Sequence, residues 1–124
     1  MRKFINSKKV KGNAPCSAMV QADNLVYITA QIPIDYVSGN IIVDNTENAT
    51  RQVMENIKML LKELNYNLSD IIKTTIYYTE PSEESEILGV YKNFFTGVYP
   101  SYCLVGAAFL PKGVGVQIDA IASK

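Results

Sequence analysis

The sequence has no histidine and only two cysteines, Cys16 and Cys103, among 124 residues. Without imidazole it lacks the commonest general acid–base near neutral pH and the commonest metal ligand. Any catalysis must run on carboxylates, lysine, tyrosine, cysteine, backbone groups or bound water. The cysteines stand far apart, and no spacing of ligating side chains suggests a metal site or calls for a cofactor. Net charge is missing as well, since 12 basic side chains balance 12 acidic ones. A neutral chain has no long-range field to draw it onto phosphate backbones or anionic lipid, so neither nucleic acid nor membrane is expected as a partner. No apolar run approaches the length of a membrane span. Met1-Arg2-Lys3-Phe4 is followed by polar residues rather than an apolar stretch, which predicts no secretory signal and a reduced, cytoplasmic protein. Asn48-Ala49-Thr50 and Asn67-Leu68-Ser69 match the glycosylation acceptor pattern, and without secretion they are accidents of composition.

What is present is an ordinary globular composition, 48% apolar and 19% charged, sized for a single domain over residues 1–124 with a genuine core. Lys3 to Ile5 reads as a short strand and the basic stretch Lys8 to Asn13 as a solvated loop. Met19 to Ile28 reads as two strand segments around a tight Asp23-Asn24 turn, and Pro33 ends the second. A loop over Asp35 to Gly39 precedes the short apolar run Ile41-Ile42-Val43. Asp44, Asn45 and Thr46 offer helix caps ahead of Ala49, Val53, Ile57, Leu60, Leu61 and Leu64, which recur at helical spacing; Asn65 to Asn67 close that helix.

Ile71 to Thr79 alternates β-branched and aromatic residues, with Ile72, Thr74, Ile76 and Tyr78 expected on one face of a central strand. Pro81-Ser82-Glu83-Glu84 starts a second helix, with Ile87, Leu88, Tyr91, Phe94 and Phe95 as its buried face and Gly97 as its stop. Tyr102 to Ala108 and Val114 to Ala122 finish the chain as strands, joined by Leu110-Pro111-Lys112-Gly113. This order predicts an α+β sandwich, a mixed sheet of about six strands with two helices on one face. Tyr77, Tyr102 and Ile118 are expected on the opposite, uncovered face, and an apolar sheet face left open is an association site.

Six segments in order resemble the Rid (YjgF-like, reactive intermediate deaminase) family over about Asn13 to Ala122. They are Ala14-Pro15-Cys16-Ser17, Thr29-Ala30-Gln31-Ile32-Pro33, Thr50-Arg51-Gln52-Val53-Met54-Glu55-Asn56-Ile57-Lys58, Ile72-Lys73-Thr74-Thr75, Val90-Tyr91-Lys92-Asn93-Phe94-Phe95, and Tyr99-Pro100-Ser101-Tyr102-Cys103 with Leu110-Pro111-Lys112 and Val116-Gln117-Ile118-Asp119-Ala120-Ile121-Ala122. The resemblance implies a chorismate-mutase-like fold and a homotrimer with three small-molecule pockets between subunits. It also implies hydrolysis of 2-imino acids to 2-keto acids and ammonia. In the family an arginine clamps the substrate carboxylate and a glutamate positions the attacking water.

Here the arginine position is Tyr102 and the glutamate position is Gln117. The pocket tyrosine of the N-terminal segment is Cys16, the glycine near the ligand is Ala30, and the backbone donor beyond the clamp falls at Leu104. Losing a charge-assisted bidentate contact costs on the order of 1.5–3 kcal/mol of binding. Glutamine can orient a water but cannot take its proton. The altered pocket is neutral and favours an uncharged or aromatic ligand, so weak or absent imine deaminase activity is expected.

Other readings of these residues stand beside that one. Tyr102 also reads as a core or interface aromatic, and Gln117 as an inter-strand polar contact. Cys103 reads as a small buried hydrophobe, Cys16 as a loop thiol and Asp119 as structural. Two further functions remain open: an imine or enamine deaminase with a rearranged site, and an endoribonuclease or translation inhibitor. The last is disfavoured by the missing histidine and the zero net charge.

Overall fold

Asp23 and Asn24 form the tight turn that the sequence calls for, with Asp23 in the left-handed region at φ 56°. The strands on either side pair antiparallel, β2 (Met19–Ala22) with β3 (Leu25–Gln31), and β1 (Arg2–Ile5) adds to the outer side of β2. The computed structural model describes residues 1–7 and 15–124. The loop expected at Lys8 to Asn13, its lysine cluster and Ala14 lie outside the described residues.

Helix α1 (Thr46–Glu63) starts where Asn45 accepts a hydrogen bond from the Asn48 N–H at 2.9 Å. It ends at Leu64, and Asn65 follows with φ 62°. Strand β4 (Ile71–Tyr78) comes next, then a 3-10 turn over Pro81–Glu83 and helix α2 (Glu84–Lys92). Strand β5 (Ser101–Gly106), a 3-10 turn over Pro111–Gly113 and strand β6 (Val116–Ser123) complete the chain.

The sheet runs β1-β2-β3-β6-β4-β5. Strand β6 lies antiparallel between β3 and β4, so those two are parallel to each other, and β4 and β5 pair parallel. Both helices therefore sit in crossovers between parallel strands, and both crossovers step the same way along the sheet. Right-handed crossovers put the two helices on one face. The core forms there, from Met19, Val26 and Ile28, from Val53, Met54, Ile57, Leu60 and Leu61 of α1, from Ile76 of β4, Ile87 of α2, and Val116, Ile118, Ala120 and Ala122 of β6. Polar side chains buried among them include Asn56, Thr74 and Tyr91, each with a partner. Asn56 donates to the carbonyls of Ile32 and Ile34 at 3.2 and 2.9 Å, and the hydroxyls of Thr74 and Tyr91 bond at 2.8 Å.

Several local expectations are corrected. A bulge between Ile71 and Lys73 sets two residues of β4 against one of β6, so Ile71 turns into the core while Ile72 is exposed. Helix α2 ends at Lys92, well before Gly97, and Phe94 and Phe95 pack from the turns beyond it. The last strands are shorter than Tyr102 to Ala108 and shifted from Val114 to Ala122. Ile118 is fully buried under the helices and Tyr102 also lies on the helix side, so of the three residues expected on the open face only Tyr77 is there. That face is nonetheless apolar in one row, where Phe4, Val20, Tyr27 and Ile121 stand side by side on four strands.

Candidate functional site

Strand β6 alternates strictly: Val116, Ile118, Ala120 and Ala122 are buried, while Gln117, Asp119, Ile121 and Ser123 are half-buried on the other face. Gln117 pairs across β4 with Tyr77, which pairs in turn with Val105 of β5. The next row holds Asp119, Thr75 and Cys103. The Tyr77 hydroxyl donates to Asp119 at a long 3.5 Å. Desolvation first, and then the neighbouring Asp119 carboxylate, push the Tyr77 phenol above its usual value. The open face around Gln117 is thus a polar patch of one carboxylate, a phenol, an amide, a threonine and the free, exposed Cys103 thiol. Cys103 is not the buried hydrophobe its neighbours suggested, because odd residues of β5 point away from the helices.

Tyr102 pairs with Thr74, whose side chain is buried beneath α2. Its ring meets Tyr91 of α2 edge-on, with centroids 6.1 Å apart. Leu104, two residues on, packs against the core from the same side. Among the described residues strand β5 is an edge, bonded to the sheet only through β4, which leaves part of its backbone open to a ligand or another chain.

Cys16 is exposed in the segment before β2. That segment is tied to the end of β3, where Thr29 donates through its hydroxyl to the Ser17 carbonyl at 2.6 Å and through its N–H to the Ala18 carbonyl at 3.1 Å. Ala30 follows in a bulged stretch of β3, and Gln31 beyond it pairs with Ile118. Cys16, Ala30 and Gln117 therefore gather at one end of the sheet. Tyr102 lies at the opposite end of β5 and on the opposite face. Between the partners of Tyr102 and Gln117 on β4, Thr74 and Tyr77, the strand advances about 10 Å. The chain folds the five residues named from the sequence into two groups. It also adds Tyr77, Thr75 and Cys103 beside Gln117, which a cross-strand register, absent from the sequence itself, was needed to find.

This six-stranded mixed sheet with two helices is the YjgF/L-PSP α+β fold. It superposes on the Rid-family protein YyfA of Yersinia pestis with a TM-score of 0.95 at 30% identity, covering all of both chains. It superposes on Escherichia coli TdcF with bound serine at 0.92 and 31% identity, covering 98% of each. Residues 7–124 match the family described as Endoribonuclease L-PSP. A RutC family protein of Pyrococcus horikoshii is 38% identical over 110 residues, 89% of this chain and 87% of that one. Mouse 2-iminobutanoate/2-iminopropanoate deaminase is 29% identical over 123 residues, 98% of this chain and 91% of that one. The chain belongs to the Rid/YjgF family, the family of Endoribonuclease L-PSP.

Proposed function

We propose that the protein works as a homotrimer whose three pockets lie between neighbouring copies and hold a small neutral or aromatic ligand, with imine hydrolysis weak or absent. The observation that carries this reading is the placement of Tyr102 and Gln117 on opposite faces of one sheet. One chain cannot present both to a small molecule. Two copies can, with Cys16, Ala30 and Gln117 from one and Tyr102 and Leu104 from the edge strand of the next. The apolar row Phe4, Val20, Tyr27 and Ile121 supports burial of the open face against other copies. A relative with bound serine, E. coli TdcF, supports a ligand of that size.

Within such a pocket the Tyr102 hydroxyl offers one neutral hydrogen bond where a guanidinium would hold a carboxylate in two. Gln117 holds a water by its amide but leaves it unactivated. The deaminases among the relatives, such as the mouse protein, favour a second reading, in which imines are still hydrolysed through a rearranged site. Asp119, on the same face two residues from Gln117, would then be the carboxylate nearest the water.

Ammonia release from freshly generated 2-iminobutanoate separates the two. The first reading expects an inert wild type and a gain of activity in the Tyr102→Arg, Gln117→Glu double variant. An active wild type that loses activity as Asp119→Asn establishes the second.

A further inference from the structure

A cavity opens on the helix side, its wall ending at Pro100, two residues before Tyr102. It lies between the C-terminal half of α1, the 3-10 turn at Leu68–Asp70 and the segment from Phe94 to Pro100. Its volume is about 760 Å³, within the range of small-molecule sites. Tyr66, Leu68, Ile71, Phe94, Phe95 and Tyr99 supply apolar and aromatic parts of the wall. The wall is ordered by ring contacts: Phe95 lies 5.0 Å from Tyr91 and 6.3 Å from Tyr99, centroid to centroid.

The charges around it are of one sign. Lys58 and Lys62, one turn apart on α1, line the cavity, and no carboxylate does. Like charges at this spacing destabilise a helix slightly. Neither lysine has an ion-pair partner among the described residues, where the one ion pair joins the Met1 amino group to Asp23, and residues 8–14 contain no acid. Carbonyls at the end of α1 are already engaged, that of Asn65 by the Lys124 ammonium. The Leu61 carbonyl accepts from Leu64 and Tyr66, and the Lys62 carbonyl from Asn65. The Tyr66 hydroxyl is engaged with the Asn24 carbonyl at 2.8 Å, and the Lys124 ammonium lies over its ring, 5.0 Å from the centroid.

We propose that this cavity binds an aromatic carboxylate, its anionic end held by the ammonium groups of Lys58 and Lys62 and its ring laid against Phe95 and Tyr99. The site is complete within one chain and does not depend on the trimer or on the reading of Tyr102 and Gln117.

The chain has no tryptophan, so the fluorescence of 2-naphthoate can be followed directly as the probe. Saturable binding is expected, with backbone amide shifts at Ser69, Phe95 and Tyr99 in NMR spectra. Affinity should fall about tenfold or more for neutral 2-naphthamide and for the Lys58→Gln, Lys62→Gln double variant. Both lysines are exposed, so the double variant folds. Arg51→Gln removes one positive charge from the same helix away from the cavity and should keep wild-type affinity. Absence of saturable binding overturns the proposal. So does equal affinity for the amide, survival of binding in the double variant, or shifts confined to the open sheet face around Gln117.

Discussion

The hydroxyls of Thr74 and Tyr91 meet at 2.8 Å inside the fold, joining β4 to α2 directly above the position where Tyr102 enters the sheet. Each is the other's hydrogen-bond partner in a buried setting. Thr74→Val keeps the shape of the side chain and strands the phenol, so unfolding in urea should show a loss of about 1–3 kcal/mol. Combining it with Tyr91→Phe removes both polar groups, and the double variant should lose less than the sum of the single ones.

Asn56 serves a different junction. Its amide group donates to two carbonyls in the segment after β3 and its oxygen accepts from Gln52 at 2.9 Å. Asn56→Leu leaves both carbonyls without that donor, and the expected cost is at least about 2 kcal/mol by chemical denaturation. Gln52→Leu, which removes only the outer member of the chain, should cost clearly less.

The open sheet face should decide the assembly. Light scattering after size exclusion is expected to give three times the 13.8 kDa chain mass for the wild type. Placing charges in the apolar row, as Tyr27→Asp with Ile121→Lys, should shift the mass to that of one chain. A wild type that runs as a single chain removes the inter-subunit pocket.

Alkaline solution should weaken the fold. The phenols of Tyr36 and Tyr91 are raised above 10.0 chiefly by burial, Tyr77 by burial and Asp119, and Tyr78 by its hydrogen bond to Glu84. A phenol that keeps its proton longer when folded contributes stability fully present below the unfolded value of about 10, and lost as pH rises through the folded value. Melting temperatures should therefore hold from about pH 8 to about pH 9.5 and fall beyond. In Tyr91→Phe the fall above pH 10 should be shallower, whatever that variant loses at neutral pH.

Much of this architecture was legible in the chain. The Asp23-Asn24 turn, the Asn45 cap and the stripe from Ala49 to Leu61 are local signals, set by turn backbone angles and helical periodicity. What stayed hidden was which way a strand faces. Alternation gives two sets of residues but not which set is inside, and one bulge at Ile71–Lys73 exchanges them. Tyr102 and Ile118 lie on the helix side rather than on the expected open face, because β5 and β6 each carry apolar residues on both sides. Phe94 and Phe95 fit helical spacing yet lie past the end of α2, because burial in a turn leaves the same pattern. The site suffered most. Candidate residues could be named by their place in six short segments, but that they fall into two groups on opposite faces depends on cross-strand register, which no single segment contains.

The place of β6 has a consequence for how the sheet is made. The last strand in chain order is the inner one, inserted between β3 and β4, and its partner across β3 begins at Leu25, which pairs with Ser123. Until β6 arrives, the first hairpin and the β4–α2–β5 unit have no sheet contact with each other. Closure must wait for contacts nearly a full chain length apart, a slow event in folding terms. In the sheet the final strand is the latch that fastens two halves, each of which has a bare edge wherever β6 is not yet paired.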